Sequence, residues 1–169
     1  ELGYDHISLL QDRVLICNEV EGEEEDLCFD APGNIGSGKH AFARLTVDAP
    51  LGRFWKGLRV KLDGTLRRTR VEDPISHEMR NFTDFFPDWQ WNVEARRDIG
   101  AWSYGFAVSD RDRFTFFRTT EFDTNFNSQP YATAFVEYRP DPRTSITLDL
   151  DNAINTHGMR SRLISFPNR

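Results

Sequence analysis

Residues 58–67 read LRVKLDGTLR, and this stretch decides the fold class. Apolar residues or glycine stand at every second position, and polar residues stand between them. An alternation of period two indicates a β-strand with one apolar and one polar face, because a helix would spread the apolar set around its circumference. The apolar set is Leu58, Val60, Leu62, Gly64 and Leu66, and the polar set is Arg59, Lys61, Asp63, Thr65 and Arg67.

The same alternation returns elsewhere in the chain. It is clear in residues 89–96, 102–109 and 145–151, and weaker in residues 43–48. No helical pattern is visible between these stretches. The sequence therefore predicts an all-β chain, an antiparallel up-and-down meander of about seven or eight strands that forms a single unit over residues 1–169.

The connections between the predicted strands alternate in length. The short ones are residues 98–100 and 139–143, with a slightly longer one at 49–57, and the long polar ones are residues 18–39, 72–87 and 123–130. Membrane-spanning β-barrels separate short turns and long loops in this way, whereas a soluble sandwich has less reason to do so. We therefore expect a segment of a transmembrane β-barrel. A soluble antiparallel sheet with one wet face fits the alternation equally well.

Composition excludes several classes of protein. The formal net charge is -6, so a nucleic acid would be repelled. The sequence contains no run of 18 apolar residues, so it offers no candidate for a transmembrane helix. Phe, Tyr and Trp make up 13% of the chain, which disfavours disorder. Tryptophan and tyrosine at strand ends are typical of the membrane interface, and we predict that role for Trp89, Trp91, Trp102 and Tyr104.

The heptapeptide GNIGSGK at residues 33–39 matches the start of a phosphate-binding loop, which would make the chain a nucleotide-binding enzyme. The next residue should be Ser or Thr to hold magnesium, and it is His40. An acidic run precedes the motif, and an alternating stretch follows it where a helix is required. We therefore keep nucleotide binding only as a third hypothesis.

Other chemical signals are weak. Cys17 and Cys28 are the two cysteines, and they either form a disulfide across a small loop or remain two separate thiols. The acidic run at residues 19–26 could attract calcium, but its spacing matches no calcium loop and a solvated loop is the simpler interpretation. We predict no catalytic residue, no metal site and no cofactor, and we expect that the chain is not an enzyme.

Three stretches together resemble TonB-dependent outer-membrane receptors of Gram-negative bacteria. They are residues 29–36 before an alternating strand, residues 62–65 leading to 70–74, and residues 148–154. The resemblance covers about residues 1–165 and implies a barrel of about 22 strands with a plugged lumen. Such a receptor lies in the outer membrane and imports siderophores or other bulky nutrients.

The chain carries neither the plug domain nor the energy-coupling box of that family, so we expect a C-terminal barrel segment. Its partners would be outer-membrane lipid and the rest of the parent barrel with its plug. TonB would be contacted only through the absent N-terminal part, and no nucleic acid is expected. An isolated segment would have open edges that favour edge-paired self-association.

The apolar face would then contact lipid, and the charged face would line the lumen and guide a polar ligand. We predict as lumen residues Arg59, Lys61, Arg67, Glu94 and Arg96. A structural ladder of cross-strand ion pairs is at least as good an explanation of these charges.

Overall fold

The computed structural model describes residues 1–18, 27–83, 87–118 and 120–164, and these residues form an all-β chain without a helix. No helix suited to crossing a membrane occurs within these ranges. The strands in chain order are β1 (Leu2–Ile7), β2 (Gln11–Asn18), β3 (Leu27–Asn34), β4 (Gly38–Pro50), β5 (Leu58–Glu72), β6 (Met79–Arg80), β7 (Trp89–Ile99), β8 (Trp102–Arg111), β9 (Phe114–Phe117), β10 (Glu121–Asn127), β11 (Tyr131–Asp141), β12 (Thr144–Leu150) and β13 (Gly158–Ile164).

An antiparallel meander forms the main sheet. Its spatial order is β1-β4-β5-β7-β8-β11-β12, and the short β6 pairs with β5. All pairings are antiparallel, so the predicted all-β antiparallel class is confirmed. β1 and β12 lie at the two ends of this order, and the described strands do not close into a barrel.

The remaining strands prolong the meander beyond one end of the main sheet. β2 and β3 form a hairpin that follows β1 and precedes β4, while β10 pairs with both β9 and β13. β9 follows β8 after two residues, and β13 follows β12 after the segment 151–157. The main sheet has eight strands including β6, which agrees with the predicted seven or eight, but the described residues form thirteen strands in three sheets.

Short turns join the strands at one end of the main sheet. They are residues 51–57, 100–101 and 142–143. Gly57 is required in the first turn because its φ is +78° and a Cβ there would lie 1.9 Å from the carbonyl oxygen of Asp98. Long excursions, namely the β2–β3 hairpin, residues 73–83 and the β9–β10 hairpin, leave the opposite end.

Two of the predicted long loops were wrong in detail. Residues 18–39 contain the whole of β3 and the start of β4, and residues 123–130 contain most of β10. Pro32, Gly33 and Asn34 in β3 are typical of turns, and the polar Thr124 interrupts the apolar set of β10, so neither stretch shows a continuous apolar face. The phosphate-loop motif also lies in this region, and the chain after Lys39 continues as strand β4 where a nucleotide site would need a helix.

The register places apolar side chains of adjacent strands on one face of the main sheet. From β4 to β12, cross-strand partners on this face are Val47–Leu62–Val93–Val108–Ala132 and Ala49–Val60–Ala95–Phe106–Ala134–Leu150. The polar residues between them occupy the other face. We call the two surfaces the apolar face and the polar face.

No described element covers much of the apolar face. Leu148 is 74% exposed, Leu66 is 63% exposed and Phe106 is 53% exposed. The buried side chains are instead mostly polar and include Thr65, Thr69, Ser103, Glu137 and Asp123. A soluble monomer rarely exposes an apolar surface of this extent.

Arg80 joins the long excursions to one another. Its guanidinium donates to Asp12 of β2 at 3.0 Å and to Asp73 at 2.8 Å, and it lies 4.6 Å from the ring centroid of Phe117 in β9. The Arg80 side chain is 9% exposed and that of Asp12 is 5% exposed. A shielded charge network of this kind fixes the excursions relative to one another.

Candidate functional site

The five predicted lumen residues all lie on two neighbouring strands. β5 carries Arg59, Lys61 and Arg67, and β7 carries Glu94 and Arg96. Lys61 is directly opposite Glu94, and Arg59 is directly opposite Arg96. Their side chains stand on the polar face because they alternate with the apolar set of the same strands.

Four of these five residues surround one shallow depression of about 320 Å³. Its lining combines three cations, one carboxylate and two phenylalanines. It is lined by Arg59, Lys61, Glu94, Ala95, Arg96, Phe106, Ala107, Thr133 and Phe135. The Arg96 guanidinium lies 5.3 Å from the Phe135 ring centroid. An excess of positive side chains beside an aromatic ring suits a ligand with acidic and planar groups.

We call this first depression the lower depression. Ion pairs neutralise its two arginines. Arg59 donates to both carboxylate oxygens of Asp48, at 2.6 and 2.7 Å. Arg96 lies 3.1 Å from Asp98 and 3.8 Å from Glu137. The Arg59–Asp48 pair joins β5 to β4, whereas the Arg96–Asp98 pair lies within β7, and these ion pairs coexist with the depression.

Lys61 is different from the two arginines. In the described part of the chain it has no carboxylate within 4.0 Å, although Glu94 is its cross-strand partner. Glu94 instead accepts a hydrogen bond from the Asn92 side chain at 2.9 Å. Lys61 therefore presents an ammonium group that can exchange water for an anionic ligand.

Arg67 stands apart from the other four. It is on β5 opposite Phe42, six residues beyond Lys61 towards the long excursions, and it does not line the lower depression. The register places Arg67 on the same face as the other four predicted lumen residues. The structure nevertheless separates Arg67 from them along the strand.

A second depression of about 340 Å³ lies on the polar face nearer the long excursions. Hydroxyl and amide side chains share its lining with Asp63, Asp110 and Arg111, and Tyr131 adds an aromatic ring. The lining residues are Asp63, Gly64, Thr65, Gln90, Trp91, Asn92, Ser109, Asp110, Arg111, Asn127 and Tyr131. Such a surface offers hydrogen bonds to a neutral polar ligand. We call it the upper depression.

Sequence reasoning missed part of this face because it missed β11. In that strand Phe135 stands on the polar face between Thr133 and Glu137, which breaks the alternation. Glu137 is largely buried and accepts hydrogen bonds from Arg139 at 2.7 Å and Ser145 at 2.6 Å. The signal that could have found the strand was the run of Ala132, Ala134 and Val136 at every second position.

The four predicted interface aromatics all stand on the apolar face. Trp89 and Trp91 begin β7 near the long excursions, and Trp102 and Tyr104 begin β8 beside a short turn. The rings of Trp102 and Tyr138 lie 4.5 Å apart, and Arg97 donates to the Tyr104 hydroxyl oxygen at 3.0 Å. The aromatic residues therefore border the apolar face at two ends.

Outside these faces, the register of the β2–β3 hairpin places Cys17 opposite Cys28, and Cys17 is disulfide-bonded. The acidic run at residues 19–26, which was considered for calcium, lies outside the described residues. Within the described ranges, no group of three or more His, Cys, Asp or Glu side chains is arranged to hold a metal ion.

No family model, curated protein or solved structure matches this chain. Function is therefore inferred from the two faces of the sheet and the groups that they present.

Proposed function

We propose that the chain is the C-terminal part of the barrel wall of a TonB-dependent outer-membrane receptor. In the intact protein its apolar face contacts lipid and its polar face lines the lumen, through which a siderophore or another bulky nutrient is imported. The observation that carries this proposal is the apolar face, which runs across adjacent strands and is largely uncovered by the described residues.

The height of the apolar face supports a lipid contact. Trp89 lies at one end of β7, and Ile99 at the other end lies opposite Trp102. Ten residues at about 3.3 Å each span about 33 Å along the strand. At a strand tilt of about 40°, this length projects to about 25 Å, which is the height of the apolar band in outer-membrane barrels.

The polar face supports a lumen role. Its lower depression offers the Lys61 ammonium group near two ion-paired arginines, and its upper depression offers both neutral and charged hydrogen-bonding groups. Both depressions are shallow, which suits a surface that a ligand passes along rather than a closed binding pocket. The role proposed for this segment is therefore passive guidance of a polar ligand.

The proposed location is the outer membrane of a Gram-negative bacterium. β1 and β12 have one unpaired edge each in the described structure, and these edges are where the rest of the parent barrel would join. The plug would lie against the polar face. TonB would act through an N-terminal part of the parent receptor and not through this segment.

Neighbouring residues of β12 provide the sharpest test. Leu148 and Thr147 are both exposed but stand on opposite faces. Each is changed to Cys in a C17S/C28S background, labelled with a nitroxide and incorporated into phosphatidylcholine vesicles. We expect the label at 148 to be accessible to oxygen and the label at 147 to a water-soluble nickel chelate. Equal accessibility of both labels would falsify the lipid contact.

The second candidate is a soluble β-barrel or sandwich that binds a small ligand with its aromatic face turned inward. It requires a covering element over Leu66, Phe106 and Leu148, and the described residues supply none. A monodisperse monomer in detergent-free buffer would favour this candidate. The third, a nucleotide-binding enzyme, lacks the helix that must follow Lys39.

A further inference from the structure

The apolar face changes abruptly to a cationic surface at its upper end, on strands β1, β4 and β5. The last fully apolar row is Leu2–Ala43–Leu66. The next rows on the same face are Tyr4–Ala41–Arg68 and His6–Lys39–Arg70. Two arginines and a lysine therefore stand directly above the apolar face, within two residues of each other on adjacent strands.

No described residue neutralises these cations. Lys39, Arg68 and Arg70 are exposed, and no carboxylate of the described residues lies within 4.0 Å of any of them. Lys39 and Arg70 are direct cross-strand partners, and like charges in that position destabilise a sheet. The carboxylate that follows on this face of β5, Glu72, contacts His77 at 3.1 Å.

A groove of about 640 Å³ lies on the apolar face immediately below the cations. Its apolar walls are Leu2, Ala43, Leu45, Leu66, Trp89 and Trp91. Gly64 opens its floor, because a Cβ at that position would have no heavy atom within 4 Å. The walls of the groove are mostly apolar, which suits a hydrocarbon chain.

We infer that this surface binds an anionic lipid, with its phosphate on Arg68, Arg70 and Lys39 and an acyl chain in the groove at Gly64. The inference rests on the proposed membrane location. Guanidinium groups bind phosphate oxygens in a bidentate manner, and cations at the edge of an apolar span attract anionic head groups. The distance from Leu66 to Arg70 along β5 is about 13 Å at about 3.3 Å per residue, so head group and chain would lie end to end.

The test uses the full chain in a neutral detergent. Equal amounts of phosphatidic acid and phosphatidylcholine with identical acyl chains are added, and bound lipid is counted by native mass spectrometry. We expect a preference for phosphatidic acid that falls about 30-fold in R68Q/R70Q, since two cations that contribute about 1 kcal/mol each are lost. The charge-matched control R53Q/R143Q removes two exposed cations from the short turns and should retain the preference.

Two further arms separate the contributions of the head group and the acyl chain. Gly64→Leu fills the groove and should reduce retention of both lipids while leaving the preference between them. Inorganic phosphate at the lipid concentration should not displace phosphatidic acid. Displacement by free phosphate, or an equal loss in R68Q/R70Q and R53Q/R143Q, would show simple anion attraction and overturn the lipid site.

The result of this lipid-binding test can also be distinguished from the result of the spin-label test of the proposed function. If the label at position 148 lies in lipid and no preference for phosphatidic acid is found, only the anionic lipid site is rejected. If the label at 148 remains in water, both proposals are rejected.

Discussion

Arg80 shows how one residue stabilises the long excursions. Its guanidinium bridges Asp12 and Asp73 in a shielded position, so its removal leaves two carboxylates without their shared cation. Breaking a buried ion pair by removing one partner costs about 3–5 kcal/mol. For Arg80→Met we expect faster amide exchange in β2 and in residues 73–83, measured by mass spectrometry. The matched control is Arg113→Met, at an exposed position, and equal exchange in both variants would contradict this role.

A substitution at Gly57 tests whether the first short turn requires the backbone conformation of glycine. Its positive φ costs a residue with a Cβ about 1 kcal/mol, and the contact with the Asp98 carbonyl oxygen adds a steric conflict with the backbone. We expect Gly57→Ala to destabilise the turn between β4 and β5 by more than about 1 kcal/mol in chemical denaturation followed by Trp fluorescence. Gly52→Ala in the same turn meets no atom within 4 Å and should be close to neutral. Similar midpoints for the two variants would show that the turn tolerates a Cβ.

At the scale of the element, alternation predicted most of the strands that border the apolar face, with β1 and β11 as exceptions, and missed those beyond it. β5, β7, β8 and β12 were predicted because one face of each is apolar. In β13 the arginines at 160 and 162 alternate with Met159, Ser161 and Leu163, so no clean apolar set forms. A strand with water on both sides is under no pressure to alternate, and its pairing is then specified by hydrogen bonds and ion pairs.

The candidate site, like the strands, could be predicted only in part from the sequence. The period of two placed Arg59, Lys61, Glu94 and Arg96 on one face, and the register brings them around one depression. The cross-strand partners could not be predicted, because they depend on register. Sequence alone gives no reason why Lys61 faces Glu94 while Arg59 faces another arginine, Arg96.

Ion pairs hold β13 to β10 and make this part of the fold sensitive to acid. Arg160 donates to Asp123 at 2.6 and 2.9 Å, and this hydrogen bond lowers the pKa of the Asp123 carboxyl despite its burial. A hydrogen bond from Arg162 likewise lowers the pKa of Glu121. A carboxyl whose pKa is lower in the folded state stabilises it above the unfolded pKa, and this contribution is lost as the pH falls through the folded pKa.

We therefore expect β13 to lose amide protection as the pH falls below about 4, where unfolded carboxyl groups become protonated. Amide exchange, corrected for its intrinsic pH dependence, is compared at pH 6 and pH 3. In Asp123→Asn the protection should already be reduced at pH 6 and should depend less on pH. A wild-type β13 that stays equally protected at both values would contradict the contribution of these pairs.

At the scale of the whole molecule, the open edges of the sheet decide how the isolated chain behaves. β1 and β12 end the strand order, so each presents backbone groups without a neighbouring strand in the described structure. Unpaired edges of this length favour pairing with another chain, and the apolar face adds a second attraction between copies. In the proposed parent barrel the neighbouring wall strands would occupy the same edges.

If two copies of the chain pair through their edge strands, disulfide cross-linking between them should depend on where the engineered cysteine lies in the sheet. Thr147 lies on the edge strand β12 and Thr133 on the interior strand β11, both on the polar face. Each is changed to Cys in a C17S/C28S background and oxidised in detergent, and dimers are measured by non-reducing electrophoresis. Because only an edge residue can approach its counterpart across a shared ladder, we expect T147C to form dimers faster than T133C. Equal rates would indicate random collision, and the isolated chain would then protect its edges in another way.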